Sequence, residues 1–130
     1  MLGLCIFSLA NAVTAFLPTD HFSLSWQHSI EHFVWKEEYK IDPLTYQFYI
    51  WRVSIPGHGA GVDIPVGAIF MHDHWEFQPI IKKMSELLLA NWLEQSDYVL
   101  CVAADYCRNL REFLPVNNSK DIIRLFICDQ

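Results

Sequence analysis

Basic residues are scarce in this chain of 130 residues, which has 9 Lys and Arg against 15 Asp and Glu and a formal net charge of −6. This balance argues against non-specific binding to nucleic acid or to anionic lipid, because both require positive charge on the protein. Internal repeats, low-complexity tracts and linkers are also absent. Because 52% of the residues are hydrophobic and the length is near the commonest domain size, we expect one domain with a single core.

Motifs that carry catalysis or hold cofactors are missing as well. The chain has no G-x-S-x-G nucleophile elbow, and the glycine-rich stretch 57–61 lacks the Lys-Ser/Thr pair of a phosphate-binding loop. Ser29 follows His28, but adjacent side chains of an extended chain point apart, so this serine is poorly placed to use the histidine as a base. We therefore predict that the protein is not an enzyme and requires no cofactor.

Charged side chains are absent from Met1–Pro18. This segment is shorter than the roughly 20 apolar residues of a spanning helix, and Ala10-Asn11-Ala12 has the small-x-small form of a signal-peptidase site. We interpret residues 1–18 as a cleaved export signal, with an uncleaved membrane anchor as the alternative. Both interpretations place residues 19–130 outside the cytoplasm, in the periplasm or on the outer face of the inner membrane.

The cysteines agree with an oxidising compartment. Cys5 would leave with a cleaved signal, and the spacing of Cys101 and Cys107 is compatible with a disulfide across a tight hairpin. Cys128 would then be unpaired in the last strand, although a swapped pairing with Cys128 remains open. No CxxC motif supports a zinc ribbon.

Aromatic residues are abundant, with five Trp, five Tyr and nine Phe, and they favour strands. Residues 22–27 alternate apolar and polar side chains, which is typical of a half-buried strand. The predicted strands are residues 22–28, 33–41, 44–54, 68–71, 74–78, 98–103 and 122–128. Residues 80–92 fit a helix or a strand, and residues 108–114 a short helical turn. The pattern predicts an all-β domain, an antiparallel β-sandwich or barrel-like body with at most one or two short helices.

Glu37 and Glu38 lie in the second predicted strand, so their side chains face opposite sides. An inward Glu37 needs a partner, because a buried lone carboxylate is strongly unfavourable. We predict Arg52 as this partner. The alternation also places Arg52 on the same face of its strand as Phe48.

His72 and His74 are the sharpest candidates for metal binding, since two strand residues two positions apart point to the same face. We nevertheless interpret them as a solvated hairpin tip, because a metal site needs three or four convergent ligands. They remain weak candidates, and no metal site is predicted.

Several short motifs, taken in order, resemble a known family. They are His28-Ser29-Ile30-Glu31, Trp35 with Glu37, Gly59-Ala60-Gly61-Val62-Asp63, Trp75-x-Phe77-x-Pro79, Tyr98-x-Leu100-Cys101 and Cys107-Arg108-x-Leu110. From about residue 22 to residue 114 the chain resembles domain-of-unknown-function family 1850, small exported proteins of bacteria and archaea. The resemblance implies an extracytoplasmic β domain beside TRAP transporters of the TAXI type, which take up organic acids. His32, His58 and Asn109 depart from the residues usual in that family.

The function expected from this resemblance is that of a non-enzymatic accessory or binding protein in TRAP-type uptake. Its partners would be the transporter's membrane subunits or a periplasmic solute-binding protein. The predicted ligand- or partner-binding surface consists of His28, Ser29, Glu31, Glu37, Gly59 and Gly61. The alternative is a stand-alone periplasmic protein that binds a small ligand or a metal.

Overall fold

The computed structural model describes residues 1–27, 34–56, 64–90, 98–103, 105–114 and 121–130. In chain order, its strands are β1 (Leu2–Ser8), β2 (Val13–Pro18), β3 (His21–Gln27), β4 (Val34–Asp42), β5 (Gln47–Pro56), β6 (Ile69–Met71), β7 (His74–Phe77), β8 (Glu86–Ala90), β9 (Val99–Cys101), β10 (Cys107–Asn109) and β11 (Ile122–Asp129). A 3₁₀ turn at Leu110–Glu112 follows β10. The all-β prediction is confirmed, and none of the described segments forms a helix long and apolar enough to cross a membrane.

The strands form two antiparallel sheets. The first sheet has the order β2-β1-β11-β8, and the second has the order β10-β9-β3-β4-β5-β7-β6. Neither order closes on itself, so the architecture is a small sandwich and not a barrel.

The core lies between the two sheets and is built from alternate residues of their strands. Tyr39 stacks on Phe22 with ring centroids 4.8 Å apart, and Phe48 meets both rings edge-on. The first sheet and the 3₁₀ turn cover this aromatic group with aliphatic side chains, namely Leu4, Ile6, Leu89, Leu110, Ile123 and Leu125. Fully burying one such side chain stabilises the folded state by about 1.5–3 kcal/mol. Because the core side chains come from both sheets, the core depends on both of them.

Residues 1–18, which the sequence predicts to be an export signal or anchor, contain strands β1 and β2 of the first sheet. β1 lies in the interior of the first sheet and pairs with β11 over its full length, from Leu2↔Asp129 to Ser8↔Ile123. In the structure the apolar side chains of β1 lie in the core. The division of the chain at residue 18 into an export signal or anchor and a mature body stays a prediction.

Strands β1 and β2 form a hairpin, which is held in place by a close backbone approach and by a buried carboxylate. A Cβ on Gly3 would collide with the carbonyl oxygen of Leu17 and would lie 2.7 Å from the Phe16 ring, so only glycine fits. At the other end of β1, the buried Asp121 accepts hydrogen bonds from the Ser8 hydroxyl at 2.5 Å and from the backbone N–H of residue 10 at 2.9 Å.

Two disulfides are present. Cys101 and Cys107 face each other across β9 and β10 with a Cα–Cα distance of 4.1 Å, which is the predicted pair. Cys128 is not unpaired as expected, because it bonds Cys5 across β1 and β11 with a Cα–Cα distance of 5.9 Å. Disulfides of this kind persist in oxidising compartments.

A β-bulge in β5 changes the predicted faces. Glu38 lies opposite Arg52 and Tyr39 lies opposite Ile50, so Trp51 is the extra residue. The alternation along β5 is therefore reset. Arg52 pairs with Glu38 on the outer face, whereas the sequence placed it on the face of Phe48.

The structure also assigns the secondary structure of two segments, within residues 80–92 and 108–114. Residues 86–90 form strand β8, and the predicted helical turn after residue 108 is the short 3₁₀ turn. The hairpin expected around His72-Asp73 is confirmed as β6 and β7.

Candidate functional site

Several strand ends meet at one end of the sandwich, which we call the Glu37 end. In the second sheet this end is formed by the end of β3, the start of β4, the end of β5 and the start of β9. The strand pairing shows this, because Gln27 pairs with Val34, Lys36 with Ser54, and Ser25 with Val99. The residues at these strand ends are Gln27, Val34, Pro56 and Tyr98. The opposite end holds the Tyr46 hydroxyl, which donates to Asp129 at 3.2 Å.

Of the six predicted surface residues, only Glu37 is among those that the structure describes. The others, His28, Ser29, Glu31, Gly59 and Gly61, lie outside the described residues. The strand ends that flank their segments are Gln27, Val34 and Pro56, all at the Glu37 end.

Glu37 lies on the inner face of the second sheet but is only half-buried, so part of it remains accessible. It lies opposite Leu24 on one side and Val53 on the other, both of which are buried core residues. Its carboxylate oxygen Oε1 accepts a hydrogen bond from the Tyr39 hydroxyl at 2.6 Å. Burial, together with the nearby charge of Glu37, raises the pKa of Tyr39 well above its usual range. Tyr39 therefore remains a fixed hydrogen-bond donor to this carboxylate.

Aromatic rings border the same region. Trp26 and Tyr98 contact each other with ring centroids 5.7 Å apart. Burial raises the pKa of Tyr98, and the charge of Glu37 raises it further. A carboxylate held by a neutral phenol and bordered by aromatic rings can accept hydrogen bonds from a ligand or from a partner's cationic group.

The predicted pairing of Glu37 with Arg52 is wrong. Arg52 instead binds the neighbouring Glu38 through two hydrogen bonds, one of them from Nη2 to Oε1 at 2.9 Å and the other from Nε. Arg52 Nη1 also lies 3.7 Å from a carboxylate oxygen of Glu76. The hydrogen bonds from Arg52 lower the pKa of Glu38, and the same contacts raise the pKa of Arg52.

The histidines of the β6–β7 hairpin differ from each other. Both ring nitrogens of His74 contact carboxylates, Nε2 with Glu76 at 3.0 Å and Nδ1 with Asp73 at 2.6 Å. Both contacts raise the pKa of His74, and the hydrogen bond with Glu76 contributes most. His72 occupies the turn with a φ of 63°. Across the ranges the structure describes, no group of three or more His, Cys, Asp or Glu residues is placed to hold a metal ion.

Two clefts on the outer face of the second sheet were not predicted from the sequence. One, of about 220 Å³, lies beside Trp51 and the Cys101–Cys107 disulfide, and the other, of about 600 Å³, lies between Trp51 and the β6–β7 hairpin. The bulge places Trp51 and Arg52 together on this face. In the sequence, the only signal of the smaller cleft was the spacing of Lys36 and Lys40, since residues four positions apart on a strand lie on the same face.

Comparisons with curated proteins and with solved structures found no match. The family model described as domain of unknown function DUF1850 matches residues 22–110, more than half of the chain. The matched range begins in β3 and ends in the 3₁₀ turn. It includes Glu37 and the strands β4 and β5, whose residues line the clefts. The chain therefore belongs to the DUF1850 family.

Proposed function

We propose that the protein is an extracytoplasmic, non-enzymatic binding module that serves as an accessory to TAXI-type TRAP solute uptake. In this proposal the Glu37 end is the surface that contacts the partner. The membrane subunits of the transporter or its periplasmic solute-binding protein are the partners.

The observation that carries the proposal is the inward carboxylate of Glu37 at an end where four strand ends meet. Tyr39 fixes this carboxylate through a 2.6 Å hydrogen bond, so it can accept further hydrogen bonds without rearrangement. A net charge of −6 favours a partner that presents Lys or Arg side chains. Two disulfides support the extracytoplasmic part of the proposal, and the resemblance to an exported family supports the link to uptake.

The test is a pull-down from native membranes with the tagged, full-length protein. We expect TRAP membrane subunits or a solute-binding protein to be captured by the wild type. Glu37→Gln should capture several-fold less, because it removes the charge but keeps the shape of the side chain. Glu86→Gln is the matched control, since Glu86 is exposed in the other sheet. Recovery of the protein alone, or equal capture by Glu37→Gln, would contradict the proposal.

A stand-alone small-ligand binder is the second candidate function, and the cleft of about 600 Å³ favours it. This volume lies within the range of small-molecule sites, and apolar residues such as Ile69, Met71 and Phe77 line it. Native mass spectrometry of the purified protein distinguishes the two. A bound small molecule without any captured transporter subunit supports the second candidate.

A further inference from the structure

The cleft of about 220 Å³ is built by neighbouring strands on the outer face of the second sheet. Ser23 of β3 lies between Glu38 of β4 and Cys101 of β9 in one cross-strand row. The Trp51 ring lines one part of the cleft, and the Cys101–Cys107 disulfide lines another. An aromatic ring and a disulfide thus give the cleft apolar walls, although it lies outside the core.

Two lysines give the cleft an excess of positive charge. Lys36 and Lys40 are four positions apart on β4, so both side chains project from the outer face, and both line the cleft. Glu38 lies between them, but Arg52 binds both of its carboxylate oxygens and offsets its charge. Within the described parts of the chain, no carboxylate forms an ion pair with either lysine.

One ammonium group contacts an aromatic ring of the cleft. Lys40 Nζ lies 4.1 Å from the centroid of the Trp51 ring, and the Arg52 guanidinium lies 4.4 Å from the same centroid. Such cation–π contacts hold a flexible lysine side chain in one region and lower the entropy that is lost on ligand binding.

Ser23 adds a hydrogen-bond donor to this cleft. Ser23 is 9% exposed as a residue and lines the cleft, and no described residue hydrogen-bonds its hydroxyl. Its oxygen is not among the described side-chain atoms that are buried without a partner, so the hydroxyl can be reached from the cleft. An anionic ligand oxygen can accept a hydrogen bond from this hydroxyl and contact the two lysine ammonium groups.

We propose that this cleft is a binding site for a small organic anion. The anionic head lies among Lys36, Lys40 and the Ser23 hydroxyl, and the apolar body of the ligand packs against Trp51 and the disulfide. This site is separate from the Glu37 end, so it does not depend on the function proposed above.

The experiment is an NMR titration of the full chain, isotopically labelled, with benzoate at low ionic strength. We expect saturable shifts at the Ser23 and Glu38 amides and at the Trp51 indole N–H. Lys40→Met should weaken benzoate binding roughly 10-fold, because a charge-assisted hydrogen bond is lost. Lys36→Met is the second charge-removing variant, and Ser23→Ala should weaken binding by roughly 3- to 10-fold. All three positions lie on the outer face, so the spectrum of each variant should remain that of the folded protein.

Two further probes and one control variant make the proposal falsifiable. Benzyl alcohol lacks the charge and inorganic phosphate lacks the apolar body, so each should bind at least 10-fold more weakly than benzoate. Lys82→Met removes the same charge outside the cleft and should leave benzoate binding unchanged. Equal binding of either probe, equal weakening by Lys82→Met, or shifts scattered over the whole spectrum would overturn the proposal.

Discussion

Glu37 and Glu38 are neighbours in β4 and have different partners, because side chains alternate between the two faces of a strand. Glu37 faces the interior and accepts a hydrogen bond from Tyr39, whereas Glu38 faces outward and binds Arg52. Among the residues that the structure describes, the hydrogen-bond donor to this inward carboxylate is the neutral phenol of Tyr39. Both the stability of the core and the proposed surface at the Glu37 end rest on this contact.

Replacing Tyr39 with Phe should lower the free energy of unfolding by about 1–2 kcal/mol, because Glu37 loses its buried donor. The ring stacked on Phe22 is retained, so the loss reports the hydroxyl alone. Urea unfolding with an unchanged m-value measures it. The control is Tyr46→Phe, whose exposed hydroxyl bonds Asp129 and should contribute much less to the free energy of unfolding. Equal losses for the two variants would show that the Tyr39 hydroxyl has no special role.

His74 should make stability depend on pH. Its pKa is raised by Glu76 and Asp73, so its stabilising contribution is complete below the unfolded value near 6.5 and is lost as pH rises through the folded value. The melting temperature of the wild type should therefore exceed that of His74→Gln most clearly at about pH 6, below the unfolded value, and the difference should shrink as the pH rises above it. His72→Asn is the control, because asparagine also accepts the positive φ of this turn. A difference between wild type and His74→Gln that is constant with pH would refute this role.

At the scale of elements, strands with one face on the core could be predicted from the sequence. The alternation in residues 22–27 predicted β3 to within one residue, and the same argument correctly placed Glu37 and Glu38 on opposite faces of β4. The partner of Glu37 could not be predicted. The bulge at Trp51 resets the faces of β5, and it depends on how β4 and β5 pair and not on the pattern of either strand.

The amino-terminal hairpin shows a second limit of the sequence pattern. An uncharged apolar run is expected both for an export signal and for a strand in the interior of a sheet. What identifies residues 2–8 as a strand is their pairing with β11, which lies more than a hundred residues away in sequence. No local pattern around residue 5 contains that information. The same distance explains why the Cys5–Cys128 bond was not predicted.

The two disulfides should differ in their effect on stability. By chain entropy, the Cys5–Cys128 bond, with a separation of 123 residues, contributes about 5 kcal/mol, and the Cys101–Cys107 bond, with a separation of 6, about 2 kcal/mol. The double variant Cys5→Ala/Cys128→Ala should therefore unfold at a clearly lower urea concentration than Cys101→Ala/Cys107→Ala. The reverse order would show that the amino-terminal hairpin contributes little to the folded body.

For the whole molecule, the decisive prediction concerns residues 1–18. A chain of residues 19–130 loses β1 and β2, which exposes the edge of β11 and the core side chains Ile123 and Leu125. We expect this shortened chain to lack a cooperative thermal transition and to aggregate, because half of the first sheet is missing. Circular dichroism melting against the full chain measures this. Cooperative melting of residues 19–130 near the temperature of the full chain would support the boundary predicted at residue 18.

The pairing of β1 with β11 also has a consequence for synthesis on the ribosome. β1 finds β2 nearby, but its other neighbour, β11, is translated more than a hundred residues later. One edge of an apolar strand therefore remains without its native neighbour until β11 has been made. Contacts of such long sequence separation slow folding and prolong the exposure of apolar surface. The nascent chain thus exposes one edge of β1 to chaperones until β11 is available.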